Sequence, residues 1–218
     1  MYRYVIFDMD GTILDTLEDL ADASNWVCEQ HGWPVHPVED YKIFVGNGAR
    51  KLLERVTPKD VAMTPELRDQ LTKEFAGRYT KHSTDKTTVY PGMPQNLERL
   101  KEAGVTMAVL TNKPDMAAAP MVEIYYPGIF TVVQGALPDM PTKPDPTLLH
   151  KLMERLGATK EDTLFVGDSN VDIQTAKNGG LDSCGVLWGF RSRQELEGEG
   201  ASYIVETAEE LADLILRP

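Results

Sequence analysis

The fold is decided by a short apolar run that leads straight into two acidic residues, Tyr4-Val5-Ile6-Phe7-Asp8-Met9-Asp10-Gly11. The run is β-branched and aromatic with no polar alternation, which is typical of a strand buried on both faces. The acids and the glycine indicate a polar turn where that strand ends. Side chains two residues apart on an extended chain share a face, so the carboxylates of Asp8 and Asp10 are expected to converge there.

Further apolar runs follow along the chain, and helical patterns separate them. The runs lie at residues 106–110, 130–133, 163–166, 184–188 and 203–205. One of the helical patterns begins after Asp145-Pro146, carries leucines at helical spacing and ends at Gly157. Apolar strands that alternate with helices predict an α/β fold with a doubly wound, Rossmann-like parallel sheet.

Residues 17–89 interrupt this alternation. Leu20, Ser24 and Cys28 fall on one helical face, and Thr64-Pro65-Glu66 has the composition of a helix start. No convincing strand pattern lies between them. We therefore expect an α/β core domain made of residues 1–15 and 90–218, with an all-helical domain inserted at residues 16–89.

The charge balance restricts the partners that the protein can have. The 218 residues include 22 Lys and Arg against 34 Asp and Glu, a formal net charge of -12. Such a field repels the phosphate backbone of a nucleic acid, and no basic cluster offsets it, so no nucleic acid is expected as a partner. The same field opposes a small phosphorylated substrate, so a site for one would need a metal ion or local cations.

Composition also bears on location. No apolar run reaches the roughly 20 residues of a membrane-spanning helix, and acids follow the apolar start too soon for a signal peptide. Cys28 and Cys184 are far apart and have no metal-ligand spacing, so both are expected to be free thiols. These features predict a cytoplasmic protein with no membrane partner, and they leave the oligomeric state open.

Polar side chains at other strand ends complement the first pair of acids. Thr111 and Asn112 follow the second core strand, where a hydroxyl and backbone N–H groups suit a phosphate oxygen. Lys143 precedes a helix start, so its ammonium is expected over the same edge of the sheet. Asp168 follows the run at 163–166, and Asp172 lies four residues further on, where it could orient Lys143 or the loop.

Each of these signals has an ordinary structural explanation when taken alone. Acids after a strand can be a solvated turn, a hydroxyl at a strand-to-helix turn is usually a cap, and a single lysine is usually a surface charge. Their combination is more informative, because parallel strands place all of their carboxyl ends at one edge. Paired carboxylates repel unless a cation lies between them, and Mg²⁺ prefers oxygen ligands. The sequence therefore predicts a site for metal-assisted phosphoryl transfer.

The motifs resemble those of a known family. In chain order, Asp8-x-Asp10-Gly11-Thr12, Thr111, Lys143 and Gly167-Asp168-Ser169-x-x-Asp172 are similar to the four motifs of the haloacid dehalogenase-like superfamily. The helical insertion resembles that superfamily's C1-type cap. Within the superfamily, the phosphoglycolate phosphatase group is similar at four further segments, Val45-Gly46-Asn47-Gly48-Ala49, Tyr90-Pro91-Gly92-Met93, Thr111-Asn112-Lys113 and Lys143-Pro144-Asp145-Pro146.

The resemblance implies a role for each site residue. Asp8 would be the nucleophile and Asp10 the general acid and base. Asp8, the backbone carbonyl of Asp10 and Asp168 would bind Mg²⁺. The phosphate would be held by Thr111, Asn112 and Lys143.

The implied function is that of a Mg²⁺-dependent phosphatase, which hydrolyses a small phosphomonoester of the phosphoglycolate type through an aspartyl-phosphate intermediate. A pyrophosphatase or a sugar-phosphate mutase on the same scaffold is the alternative enzyme. A true dehalogenase is disfavoured, because a carbon–halogen substrate gives Asp10 no alkoxide to protonate. A phospho-signalling receiver domain also uses acids, threonine and lysine on a doubly wound sheet, but it would have roughly half this length.

Overall fold

The computed structural model describes residues 1–217, and the chain divides into two compact units. The first combines residues 1–14 with the chain from residue 89 onward, and the second consists of residues 15–88. The strands, in chain order, are β1 (Tyr4–Phe7), β2 (Leu14–Asp15), β3 (Thr88–Val89), β4 (Thr106–Pro114), β5 (Val132–Ala136), β6 (Thr163–Gly167), β7 (Asp182–Val186) and β8 (Tyr203–Val205).

Helices make up most of the remaining chain. They are α1 (Leu17–Gln30), α2 (Tyr41–Phe44), α3 (Gly48–Val56), α4 (Pro65–His82), α5 (Met93–Glu102), α6 (Asp115–Tyr125), α7 (Thr147–Leu156), α8 (Asn170–Gly179), α9 (Arg193–Gly198) and α10 (Ala208–Leu216), with a 3₁₀ turn at Val38–Asp40.

Six strands of the first unit form one sheet in the order β5-β4-β1-β6-β7-β8. Every neighbouring pair is parallel, and Phe7 of the central strand β1 lies opposite Val109 of β4 and Val166 of β6. The predicted doubly wound parallel sheet is therefore confirmed. Because β1, β4 and β6 are adjacent, their carboxyl ends meet at the middle of one sheet edge.

Both faces of the sheet are covered, which explains the continuous apolar runs. Val5 and Phe7 of β1 belong to the cluster on one face, together with residues of α5, α6 and α10. Ile6 points to the opposite face, into a cluster with α7. Side chains alternate along a strand, so in a strand covered on both sides every position away from its ends is buried and favours an apolar residue.

Three strands differ from their predicted bounds by two residues or more. One is β7, which is predicted at 184–188 and lies at Asp182–Val186. The run at 130–133 predicts a strand, but β5 begins at Val132; Phe130 instead packs edge-to-face against Phe7, with ring centroids 5.8 Å apart, so its apolar character reflects core packing. The strand predicted at 106–110 continues to Pro114, with an irregularity in its pairing to β5 after Leu110.

The second unit is built from α1 to α4. Thr64 caps α4 as its sequence predicts: its hydroxyl accepts a hydrogen bond from the backbone N–H of Leu67. Tyr41, Leu53 and Leu71 are among its most buried side chains, and the Tyr41 hydroxyl donates a 2.8 Å hydrogen bond to Asn25. Apart from the two-residue strands β2 and β3 at its ends, regular structure in this unit is helical.

Two expectations about the whole chain can be compared with the structure. Cys28 and Cys184 are both buried and form no disulfide, as expected. Within residues 1–217, no helix combines the length and the hydropathy needed to cross a bilayer.

Candidate active site

The predicted site residues meet at the carboxyl edge of the sheet in the first unit. Asp8 directly follows β1, and Asp168 directly follows β6, the strand that pairs with it. Thr111 and Asn112 lie near the end of β4, on the other side of β1. Lys143 comes from the loop that leads from β5 to α7. The sheet order therefore collects residues that are up to 160 positions apart in the sequence.

Three carboxylates form the centre of the site. One oxygen from each of Asp8, Asp168 and Asp172 lies within 4.8 Å of the other two, and all three residues are buried. Asp172 is in the first turn of α8, where its Oδ2 accepts hydrogen bonds from the backbone N–H and the hydroxyl of Ser169, at 3.0 and 2.6 Å. Acids at a helix N-terminus are favoured by the helix dipole, so this carboxylate also stabilises α8.

Lys143 connects two of these carboxylates. Its Nζ lies 2.8 Å from Oδ1 of Asp8 and 2.7 Å from Oδ1 of Asp172, and its side chain is only 3% exposed. The side-chain amide of Asn112 holds the backbone of Lys143. Its oxygen accepts a hydrogen bond from the Lys143 N–H at 2.9 Å, and its nitrogen donates one to the Lys143 carbonyl at 3.1 Å. The tip of β4 thus fixes the loop that carries the ammonium.

Asp168 is held from several directions. Oδ1 accepts a hydrogen bond from the Thr12 hydroxyl at 3.1 Å, and Oδ2 accepts one from the backbone N–H of Phe190 at 2.8 Å. Two glycines let the backbone approach this carboxylate, because a β-carbon at Gly11 would lie 2.4 Å from its Oδ2 and one at Gly189 would lie 2.2 Å from its Cβ.

Asp10 lies beside the central cluster and contacts a second lysine. Its Oδ1 is 3.2 Å from Nζ of Lys113, and the two side chains are 14% and 4% exposed. The backbone N–H of Lys113 donates to the hydroxyl of Thr111, which is also buried. The Thr111 hydroxyl can donate to a phosphate oxygen while it accepts this bond.

The electrostatics of the centre favour a cation. Burial, and next the negative charge of Asp172, raise the pKa of Asp8 well above its usual range, although Lys143 opposes them. Burial and Asp172 also raise the pKa of Asp168 to about 7. Burial lowers the pKa of the Lys143 ammonium, but Asp172 and Asp8 outweigh it, so the pKa of Lys143 is raised. Three buried carboxylates beside one ammonium stay ionised together only if more positive charge is supplied, and their oxygen donors fit a divalent ion such as Mg²⁺.

The structure therefore brings Asp8, Asp168 and Lys143 into direct proximity, with Asp172 beside them. The possible use of Asp172 to orient Lys143 matches the observed ion pair. The side chain of Asn112 bonds the backbone of Lys143, and its predicted contact with phosphate stays a prediction. The side chain of Asp10 lies outside the three-carboxylate cluster. This position is compatible with the resemblance, which implies that Asp10 would bind the metal by its backbone carbonyl.

Two contributors were missed by the sequence argument. The motifs assign no role to Lys113, although a lysine beside a buried strand end is itself unusual. They also do not include the loop after β7, with Gly189 and Phe190. Its signal was available, since β7 is another parallel strand whose carboxyl end lies at the same edge.

Comparisons with known proteins agree with this geometry. The family model for haloacid dehalogenase-like hydrolases matches residues 5–186. A phosphoglycolate phosphatase from Pseudomonas putida is 34% identical over 94% of this chain and 76% of that protein. One from Vibrio parahaemolyticus is 31% identical over 98% of this chain and 96% of that protein.

Solved structures give the same result. A Lactobacillus delbrueckii protein assigned as a phosphoglycolate phosphatase is 35% identical and has a TM-score of 0.90, with 100% of this chain and 99% of that chain covered. A sequence match across residues 5–186 is also far longer than a receiver domain. The chain therefore belongs to the haloacid dehalogenase-like hydrolase family and is a phosphatase of that family.

Proposed function

We propose that this phosphatase is Mg²⁺-dependent and hydrolyses a small phosphomonoester of the phosphoglycolate type through a phosphorylated aspartate. The observation that carries the proposal is the contact between the Asp8 carboxylate and the Lys143 ammonium, 2.8 Å apart within a buried cluster of acids. A carboxylate placed beside a fixed cation can approach an anionic phosphoryl group that it would otherwise repel. The names of the curated relatives support the choice of substrate.

Asp8 and Asp168, with the backbone carbonyl of Asp10, would hold Mg²⁺. When bound, the ion supplies positive charge that offsets the charge on the phosphoryl oxygens and keeps the acids ionised. Asp168 suits this role because Thr12 and Phe190 fix both of its oxygens. A ligand held by a second layer of hydrogen bonds keeps its orientation when the metal leaves or binds.

Asp8 is the proposed nucleophile. Its oxygen attacks phosphorus in line, the bond from phosphorus to the ester oxygen breaks, and an aspartyl phosphate results. Lys143 stays protonated throughout, because Asp8 and Asp172 both stabilise its positive charge. Its ammonium then interacts with the oxygens of the transferred group, together with the Thr111 hydroxyl. The side chain of Asn112 supports this arrangement by fixing the backbone of Lys143.

Asp10 is the proposed general acid and base. It protonates the leaving alkoxide as the first bond breaks, and the resulting carboxylate then takes a proton from the water that attacks the aspartyl phosphate. The two half-reactions restore Asp8 and release inorganic phosphate. The partial exposure of Asp10, compared with the burial of Asp8, is consistent with a group that must meet both substrate and water.

We also propose that residues 16–89 serve as the cap domain of this family, and that residues 1–15 and 90–218 form the catalytic core. The division of the chain into compact units at residues 15 and 89 supports these limits to within one residue. Every side chain named in the mechanism above comes from the core. The cap would then contribute to the choice of substrate rather than to phosphoryl transfer itself.

The proposal is tested by replacing the nucleophile with its isosteric amide. Asp8→Asn should lower kcat by about a thousandfold or more, because the amide is a poor nucleophile, while the fold is kept. Rapidly quenched wild-type protein should carry a phosphoryl group on Asp8 by mass spectrometry, and Asp8→Asn should not. Asp139→Asn, a change at an exposed acid of the same unit, is the control. Substantial turnover by Asp8→Asn would reject the mechanism.

The substrate is tested with a panel measured with Mg²⁺ and with a chelator. We expect phosphoglycolate to give the highest kcat/KM, and the chelator to abolish turnover. The panel should include pyrophosphate and hexose phosphates, with phosphate release and isomer formation assayed in parallel. Isomer formation without phosphate release would indicate the mutase, and a clear preference for pyrophosphate would indicate the pyrophosphatase.

A further inference from the structure

Lys113 is a buried cation that the proposed mechanism does not use. It lies next to the last residue of β4, and its side chain is 4% exposed. A lysine is rarely buried to this degree unless its charge is paired, because a buried ammonium loses its hydration. The contact between its Nζ and Oδ1 of Asp10 provides such a pairing. Lys143, the other buried lysine of the site, contacts Asp8 and Asp172 instead.

We propose that Lys113 is a positioning residue that holds the Asp10 carboxylate in the orientation needed to protonate the leaving group. This inference rests on the proposed function, since it takes Asp10 as the general acid. A contact at Oδ1 fixes the rotation of the carboxylate and so determines where Oδ2 faces. Lys113 keeps its own protons in the reaction. The proton that reaches the leaving oxygen comes from Asp10 and departs with the alcohol product, and Asp10 then takes a new proton from the water that attacks the aspartyl phosphate.

The backbone around Lys113 is shaped to aim its side chain inward. The pairing between β4 and β5 is irregular between Leu110 and Pro114, and such irregularities redirect side chains at the end of a strand. Thr111, Asn112 and Lys113 are consecutive and all buried, so the end of β4 is covered on both faces and the Lys113 side chain is enclosed there.

A glycine on the neighbouring strand makes this backbone path possible. A β-carbon at Gly135 would lie 2.4 Å from Cα of Asp115 and 2.7 Å from the carbonyl oxygen of Lys113. The N–H of Gly135 also donates to the Asp115 side chain at 2.8 Å, which ties β5 to the start of α6. The segment that carries Lys113 is therefore packed closely against β5 and joined to the start of α6, as a positioning residue requires.

The chemistry gives this role a distinctive signature. General-acid catalysis matters most when the leaving group is a poor one, and it matters little when the leaving group departs readily as an anion. Phenol is a poorer leaving group than p-nitrophenol, and their phosphate esters have similar shapes. Loss of a residue that only supports the fold, or that only binds phosphate, would affect both esters alike.

The experiment compares phenyl phosphate with p-nitrophenyl phosphate for wild type, Lys113→Met and Asp10→Asn. Lys113→Met should lower kcat on phenyl phosphate by roughly tenfold or more, and on p-nitrophenyl phosphate by much less, with KM little changed. Asp10→Asn should show the same selectivity, and the double variant should be no slower than Asp10→Asn alone. Lys101→Met, which removes an exposed lysine from α5, should change neither ester.

The double variant also guards against misfolding. Lys113→Met leaves the Asp10 carboxylate without this partner. The double variant, Asp10→Asn with Lys113→Met, removes both charges of the pair. The double variant should therefore fold even if Lys113→Met alone does not. Equal losses on both esters, or a further loss in the double variant relative to Asp10→Asn, would overturn the inference. The proposed function would still stand in that case if Asp10→Asn slowed phenyl phosphate more than p-nitrophenyl phosphate. If Asp10→Asn slowed both esters equally, the assignment of Asp10 as the general acid would be wrong.

Discussion

Gly189 shows how much of the site depends on a residue with no side chain. A β-carbon there would lie 2.2 Å from Cβ of Asp168 and 2.4 Å from the carbonyl oxygen of Gly11. Neither neighbour can yield easily, because one is a backbone atom and the other belongs to a carboxylate whose two oxygens are already bonded. The loop after β7 can therefore approach Asp168, the proposed metal ligand, only with glycine at this position.

Replacing this glycine should damage metal binding more than folding. Gly189→Ala should displace Asp168 or the loop, lower the affinity for Mg²⁺ by roughly tenfold to a hundredfold and reduce kcat/KM at limiting Mg²⁺. Titration of activity with Mg²⁺ measures the effect. Gly198→Ala is the matched control, because a β-carbon there meets no atom within 4 Å. An unchanged Mg²⁺ dependence in Gly189→Ala would show that Mg²⁺ binding does not require the close packing of the loop after β7 against Asp168.

At the scale of elements, one acid joins the start of α1 to the far end of the second unit. Asp19 is 2% exposed, and its carboxylate accepts hydrogen bonds from the backbone N–H of Lys86 and from both the N–H and the hydroxyl of Thr87. The two chain segments at which this unit begins and ends are held together by that carboxylate. The bonds are buried and charge-assisted, which makes them stronger than surface pairs.

The importance of this contact can be measured against a neighbour on the same helix. Asp19→Ala should lower the free energy of unfolding by about 3 kcal/mol, since it leaves buried donors without an acceptor. Asp22→Ala should cost less than about 1 kcal/mol, because Asp22 makes only a half-exposed ion pair with Lys86. Chemical denaturation of both variants provides the comparison. Equal decreases in the free energy of unfolding would mean that the buried hydrogen bonds of Asp19 add no stability beyond that of a surface ion pair.

The elements also show which parts of the site could be predicted from sequence. Asp8 and Asp168 were predictable because each follows a wholly apolar strand, and parallel strands in this order bring such ends together. Lys113 was not, because its inward direction depends on an irregularity in pairing with β5 that the residues of β4 alone do not specify. Gly189 was missed for a similar reason: its close approach to Asp168 exists only once β7 lies beside β6.

At the scale of the whole molecule, the acids of the proposed metal site are expected to couple Mg²⁺ binding to stability. The carboxyl groups of Asp8 and Asp168 have raised pKa values in the folded protein, about 7 for Asp168, whereas an unfolded chain has ordinary values near 4. Between those limits the metal-free folded state binds more protons than the unfolded state. Its stability must therefore fall as the pH rises from about 4 through about 7.

This coupling predicts a pH-dependent response to Mg²⁺. In a chelator, the Tm should decrease by several degrees between pH 5 and pH 8, and saturating Mg²⁺ should recover most of that loss. The Tm increase caused by Mg²⁺ should be larger at pH 8 than at pH 5, because the ion competes with protons for the same oxygens. Differential scanning calorimetry at several pH values measures both. An equal Mg²⁺ effect at pH 5 and pH 8 would contradict the assignment of these acids.

The two free cysteines have a practical consequence for following each unit separately. Cys28 lies in the second unit and Cys184 in the first, and burial raises the pKa of both thiols, to about 12 for Cys184. Only the thiolate is reactive, so alkylating reagents reach either sulfur through transient opening of the surrounding structure. Each unit thus carries one cysteine whose alkylation reports its local unfolding. Mass spectrometry of the digested protein shows which cysteine is modified first, and so which unit opens first.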